Sequence, residues 1–187
     1  MGIRSSSVAV LTALAMLTTT AQASAAQRVS LTPLADVAAE RVLVADLVAA
    51  AKFGTTSPID DPAREQVLLD TVTAKSVDLG IDPAMSRRIF RDQIEANKDV
   101  QRGLFARWTE HPEQAPTERP DLATEVRPKL DLITTRLLEQ IRDTETLRRS
   151  PACHGHLIVA IVRTDFARDL DGLHRRALNR SLDSFCG

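Results

Sequence analysis

Apolar residues recur along this chain at three- and four-residue intervals, and no run alternates convincingly at period two. That pattern predicts helices and no strands. Leu34, Val37, Ala38, Val44, Val48 and Ala51 form a stripe on a first helix, expected over about 33–53 and stopping near Gly54. A second helix is expected over about 58–79, ending before Gly80, and a third over about 83–108 through Phe90, Ile94, Val100, Leu104, Phe105 and Trp108. The three prolines of His111–Pro120 demand a loop. A fourth helix carries Leu130, Ile133, Leu137, Leu138, Ile141 and Leu147, with Pro128 either starting or kinking it. The last occupies most of about 156–184. Thr32-Pro33, Ser57-Pro58, Asp82-Pro83 and Ser150-Pro151 each place a capping side chain before a proline suited to a first helical turn. The expected fold is an all-α helical bundle of five to six helices without a sheet, one domain over residues 26–187.

Polar residues interrupt the apolar faces. Arg41 falls on the first stripe, three residues before Val44, and Lys52 lies eleven residues further, on about the same face. Long cations on an apolar seam are costly unless they snorkel to solvent or meet an anion. Arg64 precedes Leu68 and Val72 by four and eight residues, flanked by Asp61 and Glu65. On the third helix Asn97 and Gln101 are an i,i+4 amide pair among Ile94, Leu104 and Trp108, and on the fourth Arg136 sits beside Ile133 and Leu137. Singly these have structural explanations, as surface ion pairs or mutually bonded amides. Together they are three arginines, a lysine and two amides without an evident set of seam carboxylates. Such a set suits a dry pocket for a small anion with at least two acidic groups, which arginine clamps bidentately. No serine or cysteine has a base at a recognisable spacing, so a reaction here rests on orientation and electrostatics rather than a nucleophile.

Composition narrows the classes. Apolar content of 43% with 26% charged residues describes a globular chain. No Tyr, one Trp and five Phe leave little for stacking on nucleic-acid bases, and a net charge of −1 recruits no polyanion. Residues 1–25 read as a signal peptide: Arg4, an apolar Val8–Leu17 core too short for a bilayer, and two A-x-A sites at Ala21–Ala23 and Ala23–Ala25. The expected mature protein is exported, periplasmic or extracellular, with no membrane segment. Export favours a disulfide between the only two cysteines, Cys153 and Cys186, whose loop is worth roughly 3–4 kcal/mol. The Cys153-His154-Gly155-His156 run fits zinc spacing poorly, and no metal is expected.

Arg41, Lys52, Arg64, Asn97 and Gln101, spaced eleven from Arg to Lys, twelve from Lys to Arg, then as an i,i+4 pair, resemble the active-site pattern of the all-helical chorismate mutases. The leader, the mature length and the cysteine pair look like the secreted branch of that family, the gamma subclass. The resemblance implies rearrangement of chorismate to prephenate without cofactor or covalent intermediate, by a homodimer. By that analogy Arg41 and Arg136 hold carboxylates, and Arg64 helps bind and stabilise the breaking ether. Lys52 and Gln101 donate to the ether oxygen. Asn97 assists at the hydroxyl or carboxylate end, Glu65 contacts the ring hydroxyl, and Asp61 is counted with the substrate-binding set. The chain departs from the secreted branch in carrying Gln101, where glutamate is frequent, and Asn97, where threonine or serine is. The rival reading is a secreted helical anion-binding or effector protein that keeps the fold without catalysis.

Overall fold

A computed structural model describes residues 30–187; the expected leader lies outside them. The described residues form α1 (Thr32–Lys52), α2 (Pro62–Asp78), α3 (Pro83–Glu110), α4 (Arg127–Asp143), the short α5 (Glu145–Arg148), α6 (Cys153–Arg168) and α7 (Gly172–Arg180), with no strand among them. A 3-10 turn at Pro112–Gln114 and a π-helical turn at Leu122–Val126 lie between α3 and α4. The all-α expectation holds.

α1 is the central helix, packed by α3, α4, α6 and α7. Alanines at 35, 38, 39, 45, 49 and 50, all buried, let these neighbours approach from several sides. The single stripe expected on α1 is therefore too narrow a description, and Val44 on it is only half-buried. Leu34, Val37, Leu69, Ile89, Phe90, Leu137, Leu138, Ile141 and Phe185 build the main core. A second cluster around Val100, Leu104 and Trp108 closes the end of the bundle near Phe53.

The helix boundaries show which local signals prevailed. α1 and α2 end before Gly54 and Gly80, both at φ +69°, a left-handed conformation that glycine adopts at no steric cost. Asp82 caps α3 as expected, accepting from the Ala84 N–H at 2.9 Å. Pro33 also sits in the first turn of α1 as expected, and the remaining proline starts need correction. Asp61-Pro62, not Ser57-Pro58, begins α2: Asp61 Oδ1 accepts from the Arg64 N–H at 3.0 Å, and residues 54–61 form a loop. Thr32 lies inside α1 rather than capping it, its N–H being accepted by Ser30 Oγ at 3.2 Å, and no side chain caps α6. Pro128 sits in the first turn of α4, so it starts that helix rather than kinking it. The expected last helix is two, broken at Asp169 (φ +49°) and restarted by Asp171, which accepts from the Leu173 and His174 N–H groups.

The Cys153–Cys186 disulfide ties the start of α6 to the chain end with a Cα–Cα distance of 5.8 Å. It also removes the thiol from the Cys-His-Gly-His run, whose fit to a metal site was already poor.

His174, nearly buried, bridges α7 to α1 through Asp171 (2.7 Å) and Asp46 (2.8 Å). The Asp46 hydrogen bond raises the His174 pKa; burial opposes it and Asp171 assists. Burial pushes the Asp171 carboxyl up, but the His174 backbone N–H and ring outweigh it and hold it at about 2. A raised histidine stabilises fully below its unfolded value of 6.5 and loses that contribution as pH rises through the folded value. A lowered aspartate stabilises above 3.8 and loses it as pH falls towards about 2. Urea unfolding of wild type and His174→Gln is thus expected to show a stability gap at pH 5 that narrows by pH 9. A gap independent of pH would refute the linkage.

Candidate active site

A cavity of about 230 Å³ opens between α1, α2, α3 and α4 under the 54–61 loop. Arg41, Lys52, Asp61, Arg64, Glu65, Asn97 and Gln101 all line it, although they are spread over sixty residues of chain. Helical periodicity brings them there: α1 presents Arg41, Val48 and Lys52, and α3 presents Ile94, Asn97 and Gln101.

Arg41 is only 5% exposed. Its Nη1 donates to Thr134 Oγ1 at 3.3 Å, and its guanidinium carbon stands 5.8 Å from the Phe90 ring centre. Its Nε has no hydrogen-bond partner among the described residues. Burial pulls its pKa down to about 10, with Asp131 opposing, so the group stays charged at neutral pH in an environment that disfavours the charge. A buried guanidinium so poorly satisfied is suited to an incoming anion.

Lys52 ends α1 and donates through Nζ to the Pro58 carbonyl at 2.8 Å, using one of its three protons. Burial lowers its pKa, while Asp61 and Asp60 oppose the shift. The loop that supplies the carbonyl is pinned from α3. Asp60 accepts from Arg102 at 2.8 and 2.9 Å and pairs with Lys98 at 3.1 Å.

Gln101, buried, donates from Nε2 to Asn97 Oδ1 at 2.7 Å, leaving Gln101 Oε1 and Asn97 Nδ2 without partners among the described residues. Amide oxygen and nitrogen are nearly isosteric. Rotating both amides preserves their mutual bond and frees Gln101 Nε2 as a donor. Glu65 accepts from Arg91 (2.6 Å) and Lys98 (3.2 Å), and Arg64 also borders an adjoining recess with Lys75 and Thr71.

Arg136 is not in the cavity. It pairs with Glu40 at 2.5 Å, an acceptor it shares with Arg168 on α6, and so joins α1, α4 and α6. The cavity face of α4 is instead Arg127, Leu130, Asp131 and Thr134, at i, i+3, i+4 and i+7. Arg136 lies nine residues from Arg127, which is half a turn out of phase. The sequence reading missed Arg127, and its spacing to Leu130 and Thr134 was the signal available. It also missed Lys98, a buried cation held by Glu95 (2.6 Å), Asp60 and Glu65.

The expectation of cations without carboxylates needs amending too, since Asp61, Glu65 and Asp131 line the cavity beside Arg41, Lys52, Arg64, Lys98 and Arg127. The balance is still an excess of two positive charges, matched to a small dianion.

With this geometry in hand, the chain can be compared with known proteins. Residues 33–102 match the family model described as chorismate mutase type II. The secreted chorismate mutase of Mycolicibacterium smegmatis is 38% identical over 167 residues, covering 89% of this chain and 92% of that one. That of Mycobacterium tuberculosis is 38% identical over 159 residues, 83% and 78% of the two chains. The crystal structure of the chorismate mutase from Burkholderia thailandensis superposes with a TM-score of 0.80 at 36% identity, covering 83% of this chain and 98% of that one. Among the described residues no helix is long and apolar enough to cross a membrane. Sequence, fold and cavity agree, and the chain belongs to the type II chorismate mutase family.

Proposed function

We propose that this protein is an exported isomerase that converts chorismate to prephenate in the cavity between α1, α2, α3 and α4. The observation that carries the reading is a cavity with two excess positive charges and donors on two sides, for a substrate that is a dicarboxylate. The reaction is a rearrangement within one molecule. The bond from ring to ether oxygen breaks while the enol methylene bonds to the ring carbon bearing the carboxylate, and no atom enters or leaves. The residues therefore supply orientation and charge stabilisation alone.

Arg41 holds one carboxylate, with Thr134 fixing its guanidinium. Arg127, in place of the expected Arg136, holds the other from α4. Arg64 reaches the ether region from α2. Negative charge grows on the ether oxygen as its ring bond breaks, and Lys52 and Gln101 Nε2 donate to it there. Pro58 occupies one Lys52 proton and leaves two. Asn97 orients Gln101 and assists at the hydroxyl or carboxylate end. Glu65, anchored by Arg91 and Lys98, accepts from the ring hydroxyl, and Asp61 shapes the adjoining wall while capping α2. Every one of these residues comes from a single chain, so a homodimer, if formed, is not needed to complete the site.

The test is product identification: incubating chorismate with the oxidised protein and a chelator, without added cofactor, is expected to give prephenate in equal amount. Bound but unchanged chorismate would establish the anion-carrier reading instead.

Two variants separate the arginines. Arg127→Ala is expected to lower kcat/KM by about 10²-fold, the scale of a charged contact to substrate. Arg136→Ala, which loses only a partly exposed ion pair, is expected to change it less than about threefold. Steady-state kinetics on both decide the assignment, and the reverse order would restore Arg136.

Gln101 donates at any ordinary pH, whereas a glutamate there donates only when protonated. Gln101→Glu is accordingly expected to gain rate as pH falls from 8 to 5, while this position gives wild type no such trend. A variant as active as wild type at pH 8 would contradict the role given to Gln101.

A further inference from the structure

Lys98 is a buried cation on the cavity wall, next to Asn97 on α3. A buried ammonium is costly unless its protons find acceptors. Here they do. Nζ pairs with Glu95 at 2.6 Å, Asp60 at 3.1 Å and Glu65 at 3.2 Å. An ammonium has three protons, and three carboxylates take them. The acceptors stand on α3 itself, on the 54–61 loop and in the first turn of α2. Lys98 is thus left with no proton for a ligand, unlike Lys52, which spends only one on Pro58.

The two acceptors outside α3 are each held a second time from that helix. Glu65 Oε2 accepts from Arg91 at 2.6 Å while its Oε1 takes Lys98, and Asp60 accepts from Arg102 at 2.8 and 2.9 Å. Arg91, Lys98 and Arg102 follow at steps of seven and four residues, along one face of α3. Lys98 is the middle one, and its side chain is 10% exposed against 45 and 46% for the two arginines. It alone of the three reaches both carboxylates. Those carboxylates lead to different parts of the cavity. Glu65 lines it directly. Asp60 does not, but Pro58, two residues before it, holds the Lys52 ammonium through its carbonyl at 2.8 Å. Residues 54–58 are exposed, so packing alone does not fix that loop.

On the reading of this cavity as a chorismate mutase site, we propose that Lys98 is a positioning residue that clamps Glu65 and the Pro58 loop to one ammonium. The clamp sets the distance between the acceptor for the ring hydroxyl and the donor for the ether oxygen. Lys98 touches no substrate atom. It acts through Glu65 on one side, and through Asp60, Pro58 and Lys52 on the other. A misplacement of about 1 Å costs up to about 10²-fold in rate. Because the ether contact strengthens only as the bond breaks, the clamp bears on kcat more than on KM.

Steady-state kinetics and urea unfolding of Lys98→Met and Asp60→Ala test this, with chorismate and with an analogue that lacks the ring hydroxyl. Lys98→Met keeps the length and loses the charge. It is expected to lower kcat for chorismate at least about tenfold, with KM changed less than about threefold. With the analogue, which gives Glu65 nothing to accept, that penalty is expected to shrink at least about threefold. Asp60→Ala cuts only the loop arm, and the Asp60 side chain is largely exposed, so the unfolding midpoint is expected to stay near wild type. Its kcat is expected to fall at least about threefold, equally for both substrates. A Lys98→Met protein with wild-type kcat overturns the proposal, and so does a penalty that is the same with and without the hydroxyl. Should Lys98→Met fail to fold, Asp60→Ala decides: full activity overturns the clamp, and a lower kcat in a stable protein supports it. A wild type that turns over no chorismate overturns the site reading and the clamp together, whereas an active wild type with unaffected variants overturns the clamp alone.

Discussion

Replacing Lys52 by alanine is expected to lower kcat by at least about 10²-fold while the protein stays folded and still binds chorismate. A fixed donor aimed at charge that develops only in the transition state is worth about 3–4 kcal/mol, and its removal falls on kcat more than on ground-state affinity. Two features of the structure sharpen the expectation. Lys52 ends α1 as a partly buried residue, so no internal packing depends on its ammonium. The Pro58 carbonyl holds that ammonium at 2.8 Å, and the loop carrying Pro58 is pinned by Asp60 to Lys98 and Arg102. The lysine is therefore oriented before substrate arrives, the condition under which a donor costs no reorganisation during reaction. An alanine variant with near-wild-type kcat would remove Lys52 from the chemistry.

Arg41→Met is expected to move activity and stability in opposite directions. Loss of a buried charged contact to substrate costs about 2–5 kcal/mol, or between ~30-fold and several thousandfold in kcat/KM. Stability should hold or rise by ~1–3 kcal/mol, because methionine carries no charge and fills similar volume. The sign follows from the pKa of about 10: a cation lowered from 12.5 is charged in both states at pH 7, so folding bears the cost of desolvating it. The 3.3 Å bond to Thr134, the Phe90 ring and the charge of Asp131 offset only part of that cost within the protein. Kinetics and urea unfolding on the same preparation check both halves. A destabilised variant would mean that Arg41 serves the core rather than the ligand.

Arg41, Lys52, Arg64, Asn97 and Gln101 were legible in the sequence because each lies in a helix whose register the residues around it determine. Gly54 and Gly80 mark the ends of α1 and α2, Asp82-Pro83 marks the start of α3, and periodicity does the rest. The register of α4 had no such marker. It emerges from a proline-rich loop through a π-helical turn at Leu122–Val126. Arg127 consequently lines the cavity on α4, where Arg136 was expected. Lys98 escaped notice for a different reason. On its own helix it looks like a surface charge, and its burial depends on Asp60 and Glu65, which a loop and a neighbouring helix bring to it. The break between α6 and α7 was hidden because Asp169, not glycine, takes the left-handed conformation there.

The central claim is that fixed donors in this cavity bind the transition state better than the substrate. Its most direct test is the affinity of the oxidised protein for a stable bicyclic dicarboxylate that mimics the chair-like pericyclic geometry, compared with prephenate, in wild type and in Lys52→Ala. Wild type is predicted to prefer the mimic by at least about 10²-fold, and the variant to lose most of that preference while retaining its affinity for prephenate. Equal affinity for mimic and product in wild type would contradict the account and leave a cavity that binds the dianion without favouring its rearrangement.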